Sequence, residues 1–396
     1  MIKIGKEWQI PVFSEAEGKR RWRKMRERMG AREIDCLIIS GTTAISKASF
    51  ADVRYTTNYI NWSDDEYVVF PFRGEPTLIT YAPQHKYWAE KVSWVKDVTA
   101  CSSTPFARAP ARDIVQKIKD LGLERGTIGI SNGRTMLAYC YEYLLKELPG
   151  ARFLEAGDIL RDCRRLKSPE ELEFVRKSGE IADTGWRAMA AAAGIGVTDN
   201  ELAAACEAAM ILAGAEVGSF SLFNSKQWPD GWGFPQGGTY RPLQKGDIIL
   251  NEITPCFGGY YTQICRPIAM GKPAADFLEM FEIHKEMYRI AREGFRAGNV
   301  ISDIDAKARK YALSKRPFSF ATPLFQHLDS LNADPNFDLE LKPGMVYEIH
   351  PWTNPPEADM KAKRGHLGHI LGDANICGEG EAECVSKLPM EVTVIS

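Results

Sequence analysis

The sequence predicts an α/β domain followed by an α+β domain in a chain of 396 residues. A chain of this length is too long for a single ordinary hydrophobic core, so two domains are expected. In the first part, short apolar runs alternate with segments of helical pattern, whereas the second part contains long helices, an apolar hairpin and a strand-rich end. We place the boundary near residue 160, which gives domains over residues 1–160 and 161–396.

The first domain begins with a helical pattern over residues 14–30, in which Ser14 is an N-cap and Glu17 lies three positions on. Short apolar runs rich in β-branched and aromatic residues then predict four strands. These runs are Cys36–Ser40, Tyr67–Phe72, Thr77–Tyr81 and Thr127–Ser131. Segments of helical pattern separate the later runs, at 84–92, 111–121 and 136–148. This alternation indicates an α/β domain built on a mixed sheet.

Composition and charge exclude several kinds of partner. With 44% hydrophobic and 26% charged residues, the chain has the composition of an ordinary soluble globular protein. Its net charge of −2 gives no overall attraction to nucleic acid or anionic membranes, so the basic run at 19–28 is interpreted as a solvated helix face. No apolar run reaches membrane-spanning length, and the first residues lack a signal-peptide pattern. Nine cysteines without CxxC spacing predict reduced thiols and a cytoplasmic protein, with neither nucleic acid nor membrane as partner.

The second domain opens at Leu166–Glu171, where Pro169 and two glutamates start a helix that runs towards Ala191. Further helices are predicted near 199–213, 276–297 and 302–314. An apolar hairpin, Gly246–Arg266, lies between the second and third of these four helices, and a strand-rich segment ends the chain.

The hairpin carries the polar residues on which the functional interpretation depends. Gly258 and Gly259 supply its bend, and apolar residues typical of strands flank the bend on both sides. Glu252 and Gln263 lie eleven positions apart, one on each side of the bend. If the strands pair across the bend, the two side chains can share one face of the sheet. A carboxylate between apolar strands is costly unless it is paired or functional, so Glu252 is interpreted as functional.

Three phrases of the second domain resemble the pita-bread family, which includes methionine aminopeptidase, aminopeptidase P, prolidase and creatinase. They are the hairpin, KSPEELEFVRKSGEIAD at 167–183 and LKPGMVYEIHP at 341–351. The resemblance covers most of the chain. It implies a creatinase-like α/β N-terminal domain and an α+β pita-bread catalytic domain, whose curved antiparallel sheet is backed by helices. It also implies a homodimer in which the partner's N-terminal domain completes each active site.

The peptidases of this family hold two metal ions with two aspartates, one histidine and two glutamates. By the resemblance, these five positions fall on Glu252, Gln263, Phe320, His350 and a residue near Leu371. Two cations about 3.5–4 Å apart need several carboxylates to neutralise and bridge them, and only one carboxylate remains here. We therefore predict that the protein has no metal ligands, no cofactor and a metal-independent reaction.

The family also has metal-free members, creatinase and ectoine hydrolase, and the resemblance is closer to ectoine hydrolase. That enzyme opens the cyclic amidine of ectoine and is thought to use a glutamate at the position of Glu252. A carboxylate can attack the electrophilic carbon of a protonated amidine directly, and the adduct can then be hydrolysed. We predict that Glu252 is the nucleophile, that His327 and His350 assist, and that the product is N-acetyl-diaminobutyrate. Glu348 is expected to face away from His350 and is a weaker candidate.

A small zwitterionic substrate, ectoine or hydroxyectoine, should meet aromatic rings, because rings bind delocalised cations. Two aromatic residues precede the hairpin, a third replaces a metal ligand, and a fourth lies in the segment that the resemblance assigns to the subunit boundary. We predict six substrate-binding residues: Trp62, Trp232, Phe234, Gln263, Phe320 and His369. The acidic residues 64–66, just after Trp62, would suit the cationic group.

Two alternatives stay open. One is a creatinase-type C–N hydrolase of another small amidine or guanidino acid. The histidine that creatinase uses falls on Pro235 here, which argues against creatine itself as the substrate. The other alternative is a non-catalytic pita-bread protein that binds a peptide or a partner protein, although such a scaffold has no need of a lone buried carboxylate.

Overall fold

The computed structural model describes most of the chain, namely residues 2–5, 10–42, 47–61, 65–101, 109–133, 136–216, 220–229, 239–327, 332–333, 338–357, 359 and 368–396. The chain divides into two compact units, Met1–Arg165 and Leu166–Ser396. The helix Gly157–Arg165 packs into the core of the first unit. None of the helices in the described ranges combines the length and the apolar composition that a membrane crossing requires.

The first unit is an α/β domain around a six-stranded mixed sheet. The strands of this unit are β1 Lys3–Ile4, β2 Pro11–Val12, β3 Cys36–Gly41, β4 Glu66–Pro71, β5 Thr77–Thr80, β6 Asp97–Ala100, β7 Thr127–Ser131 and β8 Arg152–Glu155. Its helices are α1 Glu15–Ala31, α2 Ala51–Thr57, α3 Pro83–Val92, α4 Ala109–Asp120, α5 Ala138–Glu147 and α6 Gly157–Arg165, with a short 3₁₀ helix at Lys47–Phe50. The sheet order is β6-β5-β4-β3-β7-β8, with β4 antiparallel to both neighbours and the other pairs parallel. Alternate residues of β3 enter two separate hydrophobic clusters, so both faces of the sheet are covered.

The start of α1 follows the sequence signal, since the backbone N–H of Glu17 donates to Oγ of Ser14 at 3.1 Å. The basic run of this helix is only partly a solvated face, which corrects the interpretation from charge alone. Arg21 is 2% exposed, its Cζ lies 4.3 Å from the ring centroid of Phe13, and its Nε donates to Oε1 of Glu17 at 2.8 Å. A carboxylate and an aromatic ring thus satisfy a buried guanidinium.

The second unit is an α+β domain around a ten-stranded sheet. Its helices are α7 Pro169–Ala192, α8 Asp199–Leu212, α9 Ala275–Gly294 and α10 Ile301–Lys315. Its strands are β9 Phe220–Gln227, β10 Asp247–Thr254, β11 Cys256–Phe257, β12 Tyr260–Tyr261, β13 Ile264–Cys265, β14 Ile268–Met270, β15 Phe320–Thr322, β16 Phe325–His327, β17 Asn332–Ala333, β18 Val346–Ile349, β19 Trp352–Asn354, β20 Gly368–His369, β21 Gly372–Ile376, β22 Glu383–Cys384 and β23 Thr393–Ile395. The main order is β17-β16-β18-β21-β13-β10-β14-β23, with β22 beside β21 and β9 beside β10. β15, β19 and β20 form a separate three-stranded sheet.

The core of the second unit joins the large sheet to α9 and α10. Leu250 of β10 and Ile349 of β18 share one hydrophobic cluster with Phe281 of α9 and Ile304 of α10. Burial of this apolar surface holds the helices against the sheet. The strands that carry the candidate site are therefore fixed by a packed helical layer.

The predicted hairpin is present, and glycine is required at its bend. β10 pairs with β13 in antiparallel register, with Ile253 opposite Ile264, and β11 pairs with β12 across the bend. Gly258 has a positive φ of 59°, and a Cβ at this position would lie 2.1 Å from the ring of Phe174. A side chain there would be strained and would also clash with α7.

Candidate active site

Four strands from distant parts of the chain place their residues in one row across the sheet. Because Ile253 pairs with Ile264, continuing that register places Glu252 opposite Cys265. Cys265 is paired with Gly372 of β21. On the other side of β21, the pairing of Ile349 with Asp373 places His350 beside Gly372. Glu252, Cys265, Gly372 and His350 therefore lie in one transverse row on the same face of the sheet. This row is the floor of the candidate site.

Glu252 lies at the centre of a polar cluster. Its Oε1 is 3.2 Å from Nε2 of His369 and 3.9 Å from Nε2 of His350, and Nε2 of Gln263 donates to its Oε2 at 3.4 Å. The same nitrogen of Gln263 donates to Oγ1 of Thr254 at 2.9 Å. Burial raises the pKa of Glu252 to about 7, because the side chain is only 15% exposed and the charged form loses its hydration. The carboxyl thus titrates near neutral pH.

His350 and His369 lie in contact with each other beside Glu252. The rings of His350 and His369 lie edge to face, with centroids 3.7 Å apart. Burial lowers the pKa of His350 to about 3, so this imidazole is neutral at neutral pH. The thiol of Cys265 lies 3.7 Å from Nε2 of His350, and burial raises its pKa well above the usual value.

A buried ion pair between Arg266 and Asp373 stabilises the strands that carry the row. Arg266, 1% exposed, donates through Nη2 to Oδ2 of Asp373 at 2.7 Å and through Nη1 to the carbonyl of Gly372 at 3.0 Å. Its Nε donates to the carbonyl of Pro389 at 3.0 Å. These bonds tie β13 to β21 and to the C-terminal segment, so Arg266 holds the strands on which Cys265 and Gly372 lie.

Glu348 lies on the same face as His350, which corrects the expectation that it faces away, because residues two apart in a strand point to the same side. It is 1% exposed, and in the described part of the chain neither carboxylate oxygen accepts a hydrogen bond. Burial, together with the nearby carboxyl of Asp373, raises the pKa of Glu348 well above its usual range. Burial therefore disfavours the charged form of Glu348.

The structure brings together four of the residues that the sequence singled out: Glu252, Gln263, His350 and His369. Phe320 begins β15 in the smaller sheet and is 41% exposed, and no contact among the described residues joins it to this cluster. His327 ends β16, and its side chain lies outside the described residues, as do Trp62, Trp232 and Phe234. The roles assigned to these five residues stay predictions.

One acidic residue of the 64–66 segment has a different role from the one expected. Glu66 is completely buried in β4, where its Oε1 accepts hydrogen bonds from the hydroxyl of Tyr59 and from Nδ2 of Asn61, both at 3.0 Å. These partners and its burial place Glu66 in the structure of its own unit, away from solvent and substrate. Asp64 lies outside the described residues, which leaves Asp65 as the described candidate for a cationic group.

Cys265 is the neighbour of Glu252 that the sequence reasoning missed. The signal was present, because Cys265 follows Gln263 by two residues, and alternation along a strand places both on one face. The assignment of the last family glutamate to a residue near Leu371 stays a prediction. Leu371 belongs to the hydrophobic core, whereas a Cβ at Gly372 would lie 3.2 Å from Cδ2 of His350 and so points into the site.

The donor atoms do not fit the two-metal centre that the resemblance implies. At the five family positions the described residues offer one carboxylate, Glu252, and Gln263 uses its amide nitrogen to bond both Glu252 and Thr254. Gly372 supplies no side chain, and Phe320 lies apart. Two divalent ions side by side need bridging carboxylates from several positions, and the residues that the structure describes at the family positions do not supply them.

Two curated relatives span nearly the whole chain. The sequence is 23% identical over 415 residues to a creatinase of a Bacillus species (strain B-0618), in an alignment that covers 98% of this chain and 95% of the relative. It is 22% identical over 401 residues to an ectoine hydrolase of Halomonas elongata, covering 86% of this chain and 90% of the relative. Both relatives are hydrolases, and they support a hydrolase here.

Solved structures share the fold. An Xaa-Pro dipeptidase from Bacillus anthracis superposes with a TM-score of 0.77 at 19% identity, covering 96% of this chain and all of that chain. A prolidase from Thermococcus sibiricus gives a TM-score of 0.78 at 19% identity, covering 95% and 99%. Residues 21–166 match the creatinase/prolidase N-terminal domain, and residues 173–376, just over half of the chain, match metallopeptidase family M24. The chain therefore belongs to metallopeptidase family M24, with a creatinase-type N-terminal domain before a pita-bread domain.

Proposed function

We propose that this protein hydrolyses the cyclic amidine of ectoine to N-acetyl-diaminobutyrate, with Glu252 as a covalent nucleophile and without a metal ion. One observation carries the proposal: a single buried carboxylate lies against two imidazoles where the peptidases of the family have carboxylate metal ligands. The ectoine hydrolase relative, aligned over 90% of its length, supports this substrate.

The proposed reaction begins with attack by the Glu252 carboxylate on the amidinium carbon, which forms a C–O bond and a tetrahedral adduct. The bond from this carbon to one ring nitrogen then breaks, and the departing nitrogen takes a proton and becomes an amine. Water next attacks the same carbon and displaces Glu252, which restores the carboxylate and leaves an amide on the other nitrogen. The overall change is addition of one water molecule to the amidinium.

The distances favour His369 as the residue that moves the proton. Its Nε2 lies 3.2 Å from Oε1 of Glu252, within reach of the atoms that would form and break bonds. His350 was assigned an assisting role from the sequence, but its lowered pKa of about 3 makes it a poor acid at neutral pH. We assign His350 to hold the ring of His369 by their edge-to-face contact. The part of His327 stays a prediction.

We also propose that the protein is a homodimer and that the partner's N-terminal domain completes the substrate pocket. The cluster around Glu252 supplies the chemistry, and Trp352, whose ring centroid is 5.8 Å from that of His369, supplies an aromatic face close to it. The predicted aromatic contacts of Trp62, Trp232 and Phe234 would add to this face. A delocalised amidinium gains from such rings.

The first experiment is turnover of ectoine by purified protein treated with EDTA, followed by NMR. We expect N-acetyl-diaminobutyrate to form at the same rate in the presence and absence of the chelator. Hydroxyectoine, assayed in parallel, gives the preference between the two compatible substrates. Formation of product only after zinc or manganese is added would contradict a metal-independent reaction, and no product under any of these conditions would exclude ectoine.

A second candidate is a creatinase-type hydrolase of another small amidine or guanidino acid. The creatinase relative favours it, because that alignment covers 98% of this chain. A panel of cyclic amidines and guanidino acids, assayed under the same chelated conditions, separates the two candidates by which compound is consumed. If none is consumed, the non-catalytic binding protein becomes the better interpretation.

Activity should depend on pH through the ionisation of Glu252. The nucleophile must be a carboxylate, and its pKa is raised to about 7, so kcat/KM should rise as the pH increases through about 7 and level off above it. The measurement is kcat/KM for ectoine across neutral pH. In Glu252→Asp the pH at which kcat/KM rises should shift, because the shorter carboxyl has a different environment. A profile that is flat through neutral pH would contradict Glu252 as the titrating nucleophile.

A further inference from the structure

A buried thiol completes a set of metal-binding atoms beside Glu252, and the proposed hydrolysis makes no use of it. The ligand atoms of Cys265, His350 and His369 all lie within 4.8 Å of one another, and Sγ of Cys265 is 3.7 Å from Nε2 of His350. Oε1 of Glu252 lies 3.2 Å from His369 and 3.9 Å from His350. Three potential ligands thus lie close together, and Glu252 lies against the two histidines among them.

These separations match those of a tetrahedral zinc site. With a Zn–S bond of about 2.3 Å and Zn–N or Zn–O bonds of about 2.0–2.1 Å, neighbouring ligand atoms lie about 3.3–3.6 Å apart. The separations of 3.2, 3.7 and 3.9 Å are close to these values. Gly372 leaves room for the side chains of Glu348 and His350, since a Cβ there would lie 2.6 Å from Oε1 of Glu348 and 3.2 Å from the His350 ring.

The ligand types select the ion. A thiolate and two imidazoles favour Zn²⁺ over Mg²⁺ or Mn²⁺, which prefer carboxylate, carbonyl and water oxygens. The thiolate of Cys265 and the carboxylate of Glu252 together neutralise the two positive charges in a site shielded from solvent. The histidines complete four-coordination without adding charge.

We propose that Cys265, His350, His369 and Glu252 bind one Zn²⁺ ion, and that occupancy of this site inhibits the enzyme. Such a site differs from the two-metal centre of the peptidases in the number of ions and in its sulfur and nitrogen ligands. Inhibition follows because the ion takes the oxygen of Glu252 that would attack the substrate and the nitrogen of His369 that would move the proton. The binding step stands apart from the proposed function, whereas the inhibition rests on it.

The binding is tested with Co²⁺ as a spectroscopic probe for Zn²⁺. Full-length protein stripped with EDTA and dialysed is titrated with Co²⁺ and then with Zn²⁺, without substrate. We expect one equivalent of Co²⁺ to give the near-ultraviolet thiolate-to-cobalt band and the intense visible bands of tetrahedral cobalt. Zn²⁺ should displace it and abolish both sets of bands. Wild-type protein alone gives this result, so it does not depend on any variant folding.

Two matched variants assign the thiol. Cys265→Ala removes the proposed ligand, and Cys206→Ala removes a thiol that is equally buried in α8 of the same unit. We expect Cys265→Ala to lose the thiolate-to-cobalt band and to bind Co²⁺ about 100-fold more weakly or worse, and Cys206→Ala to behave as wild type. Circular dichroism of both variants shows that they are folded. Absence of the thiolate band in wild-type protein, or its loss in Cys206→Ala alone, would overturn the site.

The inhibition is tested with the substrate that the chelated protein turns over. Added Zn²⁺ should lower turnover in proportion to occupancy of the site, and EDTA should restore it. If the zinc-loaded protein proves more active than the stripped protein, the inhibition and the metal-independent reaction are both wrong. Failure of ectoine as a substrate leaves the Co²⁺ titration unaffected, so the two proposals fail separately.

Discussion

Replacing Glu252 by Gln should lower turnover of the substrate by about 10³-fold or more, because the amide cannot act as a nucleophile towards the amidinium carbon. Gln keeps nearly the same shape and can still accept a hydrogen bond, so the pocket should keep its geometry. The measurement is kcat and KM for ectoine, with the loss expected in kcat. Glu252→Asp keeps a carboxylate but is one methylene shorter, so its activity should fall between those of wild type and Glu252→Gln.

The same substitution should stabilise the protein at alkaline pH, which separates loss of chemistry from loss of fold. The pKa of Glu252 is raised from 4.5 to about 7 by burial, so the charged form disfavours the folded state. This destabilisation begins as the pH rises above about 4.5 and is complete above about 7, where it amounts to about 3 kcal/mol. Glu252→Gln lacks that group, so its free energy of unfolding should exceed that of wild type at pH 8 and approach it at pH 4. Full activity in Glu252→Gln would exclude the nucleophile, whatever its stability.

Replacing Arg266 by Ala should lower the free energy of unfolding by about 3–5 kcal/mol, because it leaves Asp373 buried without its counter-ion. Asp373 is fully buried, and Arg266 supplies both the charge at 2.7 Å and hydrogen bonds to several backbone carbonyls. The measurement is urea unfolding followed by circular dichroism. Arg266→Lys keeps the charge but loses the planar donors, so its loss of stability should be intermediate.

Arg289→Ala is the matched control for this ion pair. Arg289 also bonds two carboxylates, those of Glu286 and Glu293, but its side chain is 54% exposed on α9. Water and salt screen such a pair, so its removal should change the stability little. If Arg266→Ala unfolds at the same urea concentration as Arg289→Ala, then the buried ion pair does not hold the strands of the site together.

The sequence by itself determined the family and most of the helices, although it did not predict α2, α6, β6 or β8. Alternation of apolar runs and helical segments predicts the first unit, and the start signals at Ser14 and Pro169 mark helix starts that the structure contains. The spacing of Glu252 and Gln263 across a glycine bend predicts a hairpin with both on one face, as found. These are local properties, since helix periodicity, caps and strand alternation depend on residues close in the chain.

Only the tertiary structure decided which residues meet at the site. Glu252, Cys265, His350 and His369 come from separate segments, and their meeting depends on the register between β10, β13, β21 and β18 and on the end of β20. Sequence alternation gives the face on which a side chain lies but not the partner strand, which long-range pairing selects. Burial is equally non-local: it makes His350 a neutral imidazole, brings the pKa of Glu252 to about 7 and places Arg21 in a core. The chemistry of the site therefore follows from desolvation by distant parts of the chain, which no local pattern records.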